Sequence, residues 1–242
     1  MSIAPDILFK IAGFPVTNTI ITTLLTDLVL ILIVICVSKT LSLKPKGFQN
    51  VVEIVIDYFY DLIEDTAGKK VSFIYPWVLT FFLFIVISNL AAQFPGFESI
   101  RFHPAGYGEE GVPFLRAATS DLNTTLALAT ISVIAANIIA IVRIGIKSYI
   151  LKFVSFKMFP IFMFVGILEF ANELTKFISF SFRLLGNIFA GESMLSQMYH
   201  LFPIGIPLPF MALEFMVAVI QALVFSMLTM AFMHILSDKP QH

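Results

Sequence analysis

The chain has 242 residues, 58% of them hydrophobic and 13% charged, with a mean hydropathy of +0.93 and a formal net charge of -1. A soluble core of this size needs far more polar surface, so the composition assigns a polytopic membrane protein and excludes a water-soluble domain. Near-neutral charge without a Lys/Arg block offers no field for nucleic acid, and the single Cys36 can form no internal disulfide.

The first residues, MSIAPDILFKIAGFP, lack the charged, apolar and small-residue regions of a secretory signal and are read as mature chain. Stretches long enough for a hydrocarbon core of roughly 30 Å, about 20 residues each, run from Ile20 to Val37, Val71 to Phe94 and Leu122 to Val142. Asp27 falls early in the first and is expected near the interface or paired. Residues 46–66 form an amphipathic segment, in which Glu53, Asp57, Asp61 and Glu64 share one helical face opposite an apolar one. That pattern predicts an interfacial helix with a solvated acidic side.

Two longer stretches follow, Met158 to Met198 and Phe202 to Leu236. About 40 helical residues extend roughly 60 Å, twice the hydrocarbon thickness, so a hairpin over 158–236 must tilt strongly or lie partly flat. Pro203, Pro207 and Pro209 mark its turn. The expected fold is all-α, a single membrane domain over 1–242 with about five membrane-crossing helices, an interfacial amphipathic helix and a long tilted hairpin at the end.

Loop charge sets the orientation. The connection holding Arg143, Lys147, Lys152 and Lys157 has no acidic residue, which places it in the cytoplasm. Lys39, Lys44, Lys46, Lys69 and Lys70 agree, whereas the loop from Phe94 to Asp121 sets Glu98, Glu109 and Glu110 against Arg101 and Arg116. The N-terminal segment 1–19 is therefore outside and the C-terminus cytoplasmic. A bacterial plasma membrane is the assignment, with an organellar energy-transducing membrane as the alternative.

Arg183 interrupts the otherwise uncharged run from Phe177 to Gly191 (FISFSFRLLGNIFAG). A cation at this depth costs roughly 2.5 to 3.5 kcal/mol on insertion scales, so a chain that keeps one faces it toward a partner or a watery path. Guanidinium stays protonated, so Arg183 can attract a carboxylate or stop a proton without carrying the proton itself. At about 100° per residue, Glu169, Glu173, Lys176, Arg183 and Asn187 lie along one line of the helix. Glu192 lies on another face, and Glu214 and Gln221 share a face of the next helix, with Gln221 expected level with Arg183.

Outer carboxylates, a central arginine and inner carboxylates make two ionisable clusters separated by a charge that does not titrate. Protons reaching the middle from either side cannot hop through Arg183, so crossing needs a mobile carrier from elsewhere. Plainer readings exist for most of these residues: Glu169, Glu173 and Lys176 can form i,i+3 and i,i+4 pairs, and Glu192 and Glu214 can bond each other or the backbone. Gly186 and Gly191 read as small-residue packing points.

The same residues carry a likeness. FRLLGNIFAGE, Phe182 to Glu192, resembles the block around the essential arginine in the a subunit of F-type rotary ATP synthases. IQALVFSMLTMAFM from Ile220, TSDLNTTLALA from Thr119, SNLAAQFPGF from Ser88 and QNVVEIVIDYFYDLIEDTAGKK from Gln49 are similar to further blocks, in family order. The resemblance implies two aqueous half-channels beside a rotating ring of c subunits, whose carboxylate is the missing carrier. It implies that Arg183 attracts that carboxylate and blocks a leak, and that Asn187 and Gln221 help position it. Glu192 and Glu214 would line the outer half-channel as a coupled pair, and Glu169 with Glu173 the inner side. Implied partners are the c ring, peripheral-stalk b subunits, the F1 sector and the lipid bilayer.

No phosphate-binding loop, metal-ligand cluster or nucleophile with a placed base occurs, so no cofactor or metal is expected and the chain reads as non-catalytic. A sodium-translocating version is the nearest alternative. An anion-binding secondary transporter would predict internal repeats, which are not found, and an intramembrane enzyme would have to use Glu192 and Glu214 as its acid pair.

Overall fold

The computed structural model of the chain describes residues 5–39, 41–42, 44–68, 71–94, 96–97, 100–102, 111–146, 149, 161–201, 205 and 207–237. Within them lie six α-helices: α1 (Asn18–Lys39), α2 (Phe48–Ala67), α3 (Val71–Gln93), α4 (Leu122–Ile144), α5 (Ile161–Leu201) and α6 (Pro207–Leu236). Four of these, α1, α3, α4 and α6, are long and apolar enough to cross a membrane. The fifth crossing expected from sequence falls on α5, whose 41 residues include Glu169, Glu173, Lys176, Arg183 and Glu192. Its charges set it apart from the other four.

The bundle is all-α as expected, and two short strand pairs accompany it. Antiparallel strands β1 (Ile7–Ile11) and β2 (Phe14–Thr17) precede α1, and a second pair, β3 (Arg101–Phe102) and β4 (Val112–Pro113), lies between α3 and α4. The first hairpin turns through Ala12 (φ 50) and Gly13 (φ 86), the positive-φ pair that a two-residue hairpin loop demands. Both strand pairs gather at one end of the helix bundle, hereafter the strand end. Asn18 Nδ2 donates to the Pro113 carbonyl at 3.3 Å, and Thr19 Oγ1 donates to Asp121 Oδ2 at 2.9 Å.

Local chemistry explains the helix limits. Asp121 caps α4, its Oδ1 accepting from the Asn123 backbone N–H at 2.9 Å. Gly145 follows α4 at φ 87, a conformation that favours glycine. Pro207 opens α6, where its fixed φ suits the first helical position. Pro209 thus stands in the first turn of α6 rather than in the connection, and Pro203 lies outside the described residues.

Two apolar clusters hold the bundle. Phe81, Ile85, Leu128, Phe180, Leu184, Ala222 and Phe225 join α3, α4, α5 and α6 at mid-length. Phe59, Ile63, Ile74, Val78, Ala140, Met233 and Leu236 close the far end and seat α2 through its apolar face. Asp57, Asp61 and Glu64 stay exposed on α2, and Glu53 is half-buried, accepting from Gln49 Nε2 at 2.6 Å. Helix contacts are also polar: Ser132 with Thr229 (2.9 Å) and Thr125 with Ser181 (3.1 Å) are buried hydroxyl pairs between helices, the kind of glue that works where apolar contact gains little over lipid.

Candidate functional site

α5 and α6 run side by side, and their shared seam carries most of the residues singled out from sequence. Arg183 is half-buried, and its Nη2 donates to Ser179 Oγ at 3.2 Å, one turn back on the same helix. No described carboxylate lies within ion-pair distance of it. Its own face is unusual. Phe182 (57% exposed), Gly186, Asn187 and Ala190 leave that side of α5 open and mostly apolar, and Met216 and Ile220 do the same on α6.

One turn beyond Arg183, Asn187 Nδ2 donates to Gln221 Oε1 at 2.5 Å. Gln221 is buried, and its Nε2 has no hydrogen-bond partner among the described residues. The pair links α5 to α6 beside the arginine, so Gln221 lies next to the level that the sequence predicted.

Toward the strand end the seam becomes acidic. Glu214 is 3% exposed and accepts from Gln93 Nε2 at 2.7 Å. Gly191 packs straight onto the Glu214 carboxylate, so no larger residue fits there without displacement. Here Gly191 is the close-packing point expected of it. At Gly186 a Cβ would meet no other atom of this chain within 4 Å. Glu192 forms an ion pair with Arg116, Nη2 to Oε2 at 4.0 Å, with both side chains largely withdrawn from solvent.

Away from the strand end, Lys176 Nζ meets Glu173 Oε1 at 2.7 Å and stands 4.7 Å from the centre of the Phe232 ring. Both side chains are mostly buried, and Glu173 Oε2 has no hydrogen-bond partner among the described residues. The i,i+3 pairing read from sequence therefore forms, but turned into the bundle between α4 and α6 rather than out to an interface. Glu169 lies on α5 two turns before Lys176, and its side chain is outside the described set.

The structure thus brings Arg183, Asn187 and Gln221 together at mid-seam and Glu192 and Glu214 together toward the strand end, with Glu173 in the opposite half. It adds Gln93, Arg116 and Ser179, which sequence reasoning missed. Arg116 counted there as a loop charge opposing acids, yet it is 5% exposed, and its backbone N–H donates to Thr22 Oγ1 at 3.3 Å. Glu98, Glu109 and Glu110 lie outside the described residues. Among the described residues no three His, Cys, Asp or Glu side chains gather as a metal-binding group.

Comparison with known proteins points the same way. The family model "ATP synthase A chain" matches residues 19–234. "ATP synthase subunit a" of Moorella thermoacetica is 30% identical over 230 residues, covering 95% of this chain and 95% of its own length. The subunit of the same name from Geobacter sulfurreducens is 32% identical, covering 84% of this chain and 80% of that one. "ATP synthase subunit a, sodium ion specific" of Propionigenium modestum is 35% identical, covering 91% of this chain and 74% of that one. With a match of this extent laid over a seam of buried acids and one arginine, the chain belongs to the ATP synthase A chain family, the a subunits of the F-type ATP synthase Fo sector.

Proposed function

We propose that this subunit is the non-catalytic stator of a proton-driven rotary motor, providing two offset half-channels to the carboxylates of a ring of c subunits. The observation that carries the reading is Arg183, a half-buried guanidinium without a described acid partner on an open apolar face. A fixed cation there attracts a passing carboxylate and stops a proton from crossing directly. The spare Nε2 of Gln221 and the amide of Asn187 supply neutral donors beside it. Glu192 and Glu214 serve the outer half-channel, with Glu169 and Glu173 on the inner side. Residues 158–236 form the translocating hairpin, the c ring covers the open face, and peripheral-stalk b subunits and the F1 sector complete the assembly. The chain sits in a bacterial plasma membrane with its N-terminus outside and its C-terminus in the cytoplasm.

Sodium transport is the second reading, favoured by the sodium-specific relative from Propionigenium modestum. The deciding experiment is ATP-driven pumping in inverted vesicles carrying the assembled complex, native against Arg183→Ala, with and without sodium. Loss of pumping with intact assembly supports the coupling role of Arg183, and normal pumping removes it. Acidification independent of sodium supports the proton, and sodium-dependent uptake that persists with a protonophore supports the second reading.

A further inference from the structure

The connection between β4 and α4 runs through the interior of the molecule. Arg116, Ala117, Ala118, Thr119, Ser120 and Asp121 follow one another in sequence, and each is at most 5% exposed. Connecting segments ordinarily keep to the surface, where water satisfies their backbone, so a buried one has to be tied down by the protein. Here α1 and α3 tie it. Thr22 Oγ1 accepts from the Arg116 backbone N–H at 3.3 Å, Asn18 Nδ2 donates to the Pro113 carbonyl at 3.3 Å, and Thr19 Oγ1 donates to Asp121 Oδ2 at 2.9 Å. From α3, Asn89 Oδ1 accepts from Thr119 Oγ1 at 2.5 Å.

The guanidinium that this connection carries ends beside Glu192 of α5, Nη2 to Oε2 at 4.0 Å, with the two side chains 6% and 12% exposed. That spacing is longer than a direct hydrogen bond, so this contact acts through charge. At the same level α5 meets two different neighbours. Gly191 faces the Glu214 carboxylate on α6, and position 192, about 100° further round the helix, faces the connection. The two acids are thereby held by unlike groups, Glu214 by the neutral amide of Gln93 and Glu192 by a cation. Stability alone does not call for such a cation, because apolar residues of similar volume often replace a buried ion pair without loss.

We propose that Arg116 is a positioning residue for ion transfer: fixed by the buried connection, it holds the Glu192 carboxylate on the connection side of α5, apart from Glu214. The proposal rests on the reading of Glu192 as part of the outer half-channel. Arg116 itself passes no proton, since guanidinium stays protonated.

The test is passive conductance of Fo stripped of F1, in membranes holding the assembled complex and scaled to its amount, read as proton or sodium flux, whichever the native complex conducts. Arg116→Gln should lower it roughly tenfold or more, the order that a close buried charge pair supplies, and Arg116→Lys, which keeps the charge, should regain most of the native rate. In a Glu192→Gln background, itself slow, Arg116→Gln should change the rate by less than about twofold, because the carboxylate that it positions is gone. Thr22→Val leaves both charges in place and frees the backbone N–H of Arg116; it should slow conductance roughly two- to tenfold, and it carries the test if Arg116→Gln does not assemble. Native conductance in assembled Arg116→Gln or in Thr22→Val, a lysine variant no faster than the glutamine one, or an equal further drop when Arg116→Gln is added to Glu192→Gln would each overturn the positioning role. Native conductance in Glu192→Gln would instead take that acid out of the path and the proposal with it, so the two failures are told apart.

Discussion

Gly191 on α5 packs directly against the carboxylate of Glu214 on α6, so a Cβ at position 191 would fall in the space that the carboxylate occupies. At this point the two helices touch through an acid, not through an apolar side chain. Gly191→Ala must therefore push α6 away or turn Glu214 from Gln93, at a cost of about 1 to 3 kcal/mol for overpacking. The expected outcome is a lower Tm of the purified complex and slower pumping. An unchanged Tm in Gly191→Ala would sink the close-contact explanation.

Gln93 holds Glu214 from α3, and Gln93→Leu leaves a buried acceptor without its donor. A loss of about 1 to 3 kcal/mol is expected locally, appearing as slower proton entry from the strand end with assembly retained. Gln93→Asn, one methylene shorter, should recover only part of the rate. Passive proton conductance through Fo stripped of F1 reads the step directly, and an unchanged conductance in Gln93→Leu would show that this bond does not serve the path.

How much of this was legible in the sequence follows from separation along the chain. The long apolar segments, the amphipathic α2 and the Glu173–Lys176 pair on α5 are local patterns, and they appear where spacing put them. Arg183 stood out because one charge breaks a long apolar run. Gln93 and Arg116 did not, because each gains its meaning from a partner far away in sequence: Gln93 lies 121 residues from Glu214, and Arg116 sits in a connection where a charge is ordinary. The short strand pairs escaped for another reason, being too brief to show alternation against an apolar background. Gly186 and Gly191 read alike in sequence, and only the position of α6 tells them apart.

Asn187 and Gln221 should act as one unit beside Arg183. Removing either side of their 2.5 Å bond by Asn187→Leu or Gln221→Leu should slow ATP-driven pumping, and the double change should slow it by less than the sum of the two in free-energy terms. A coupling of about 0.5 to 1.5 kcal/mol is expected for one neutral hydrogen bond. Strict additivity across the cycle would mean that the two amides serve the path separately.

Lys176 and Glu173 form a largely buried pair, so breaking it from one side should be worse than removing it whole. Lys176→Met leaves the Glu173 carboxylate enclosed between α4, α5 and α6 without its cation, with an expected penalty of about 3 kcal/mol or more. Joining Glu173→Gln to Lys176→Met removes both charges and should restore most of that loss, measured as the Tm of the purified complex. The pumping rate then separates two roles for Glu173. If this carboxylate carries protons on the inner side, the double variant regains stability but stays slow, because glutamine cannot ionise. If it only balances Lys176, stability and rate recover together, and the inner half-channel must rely on Glu169 or on water alone.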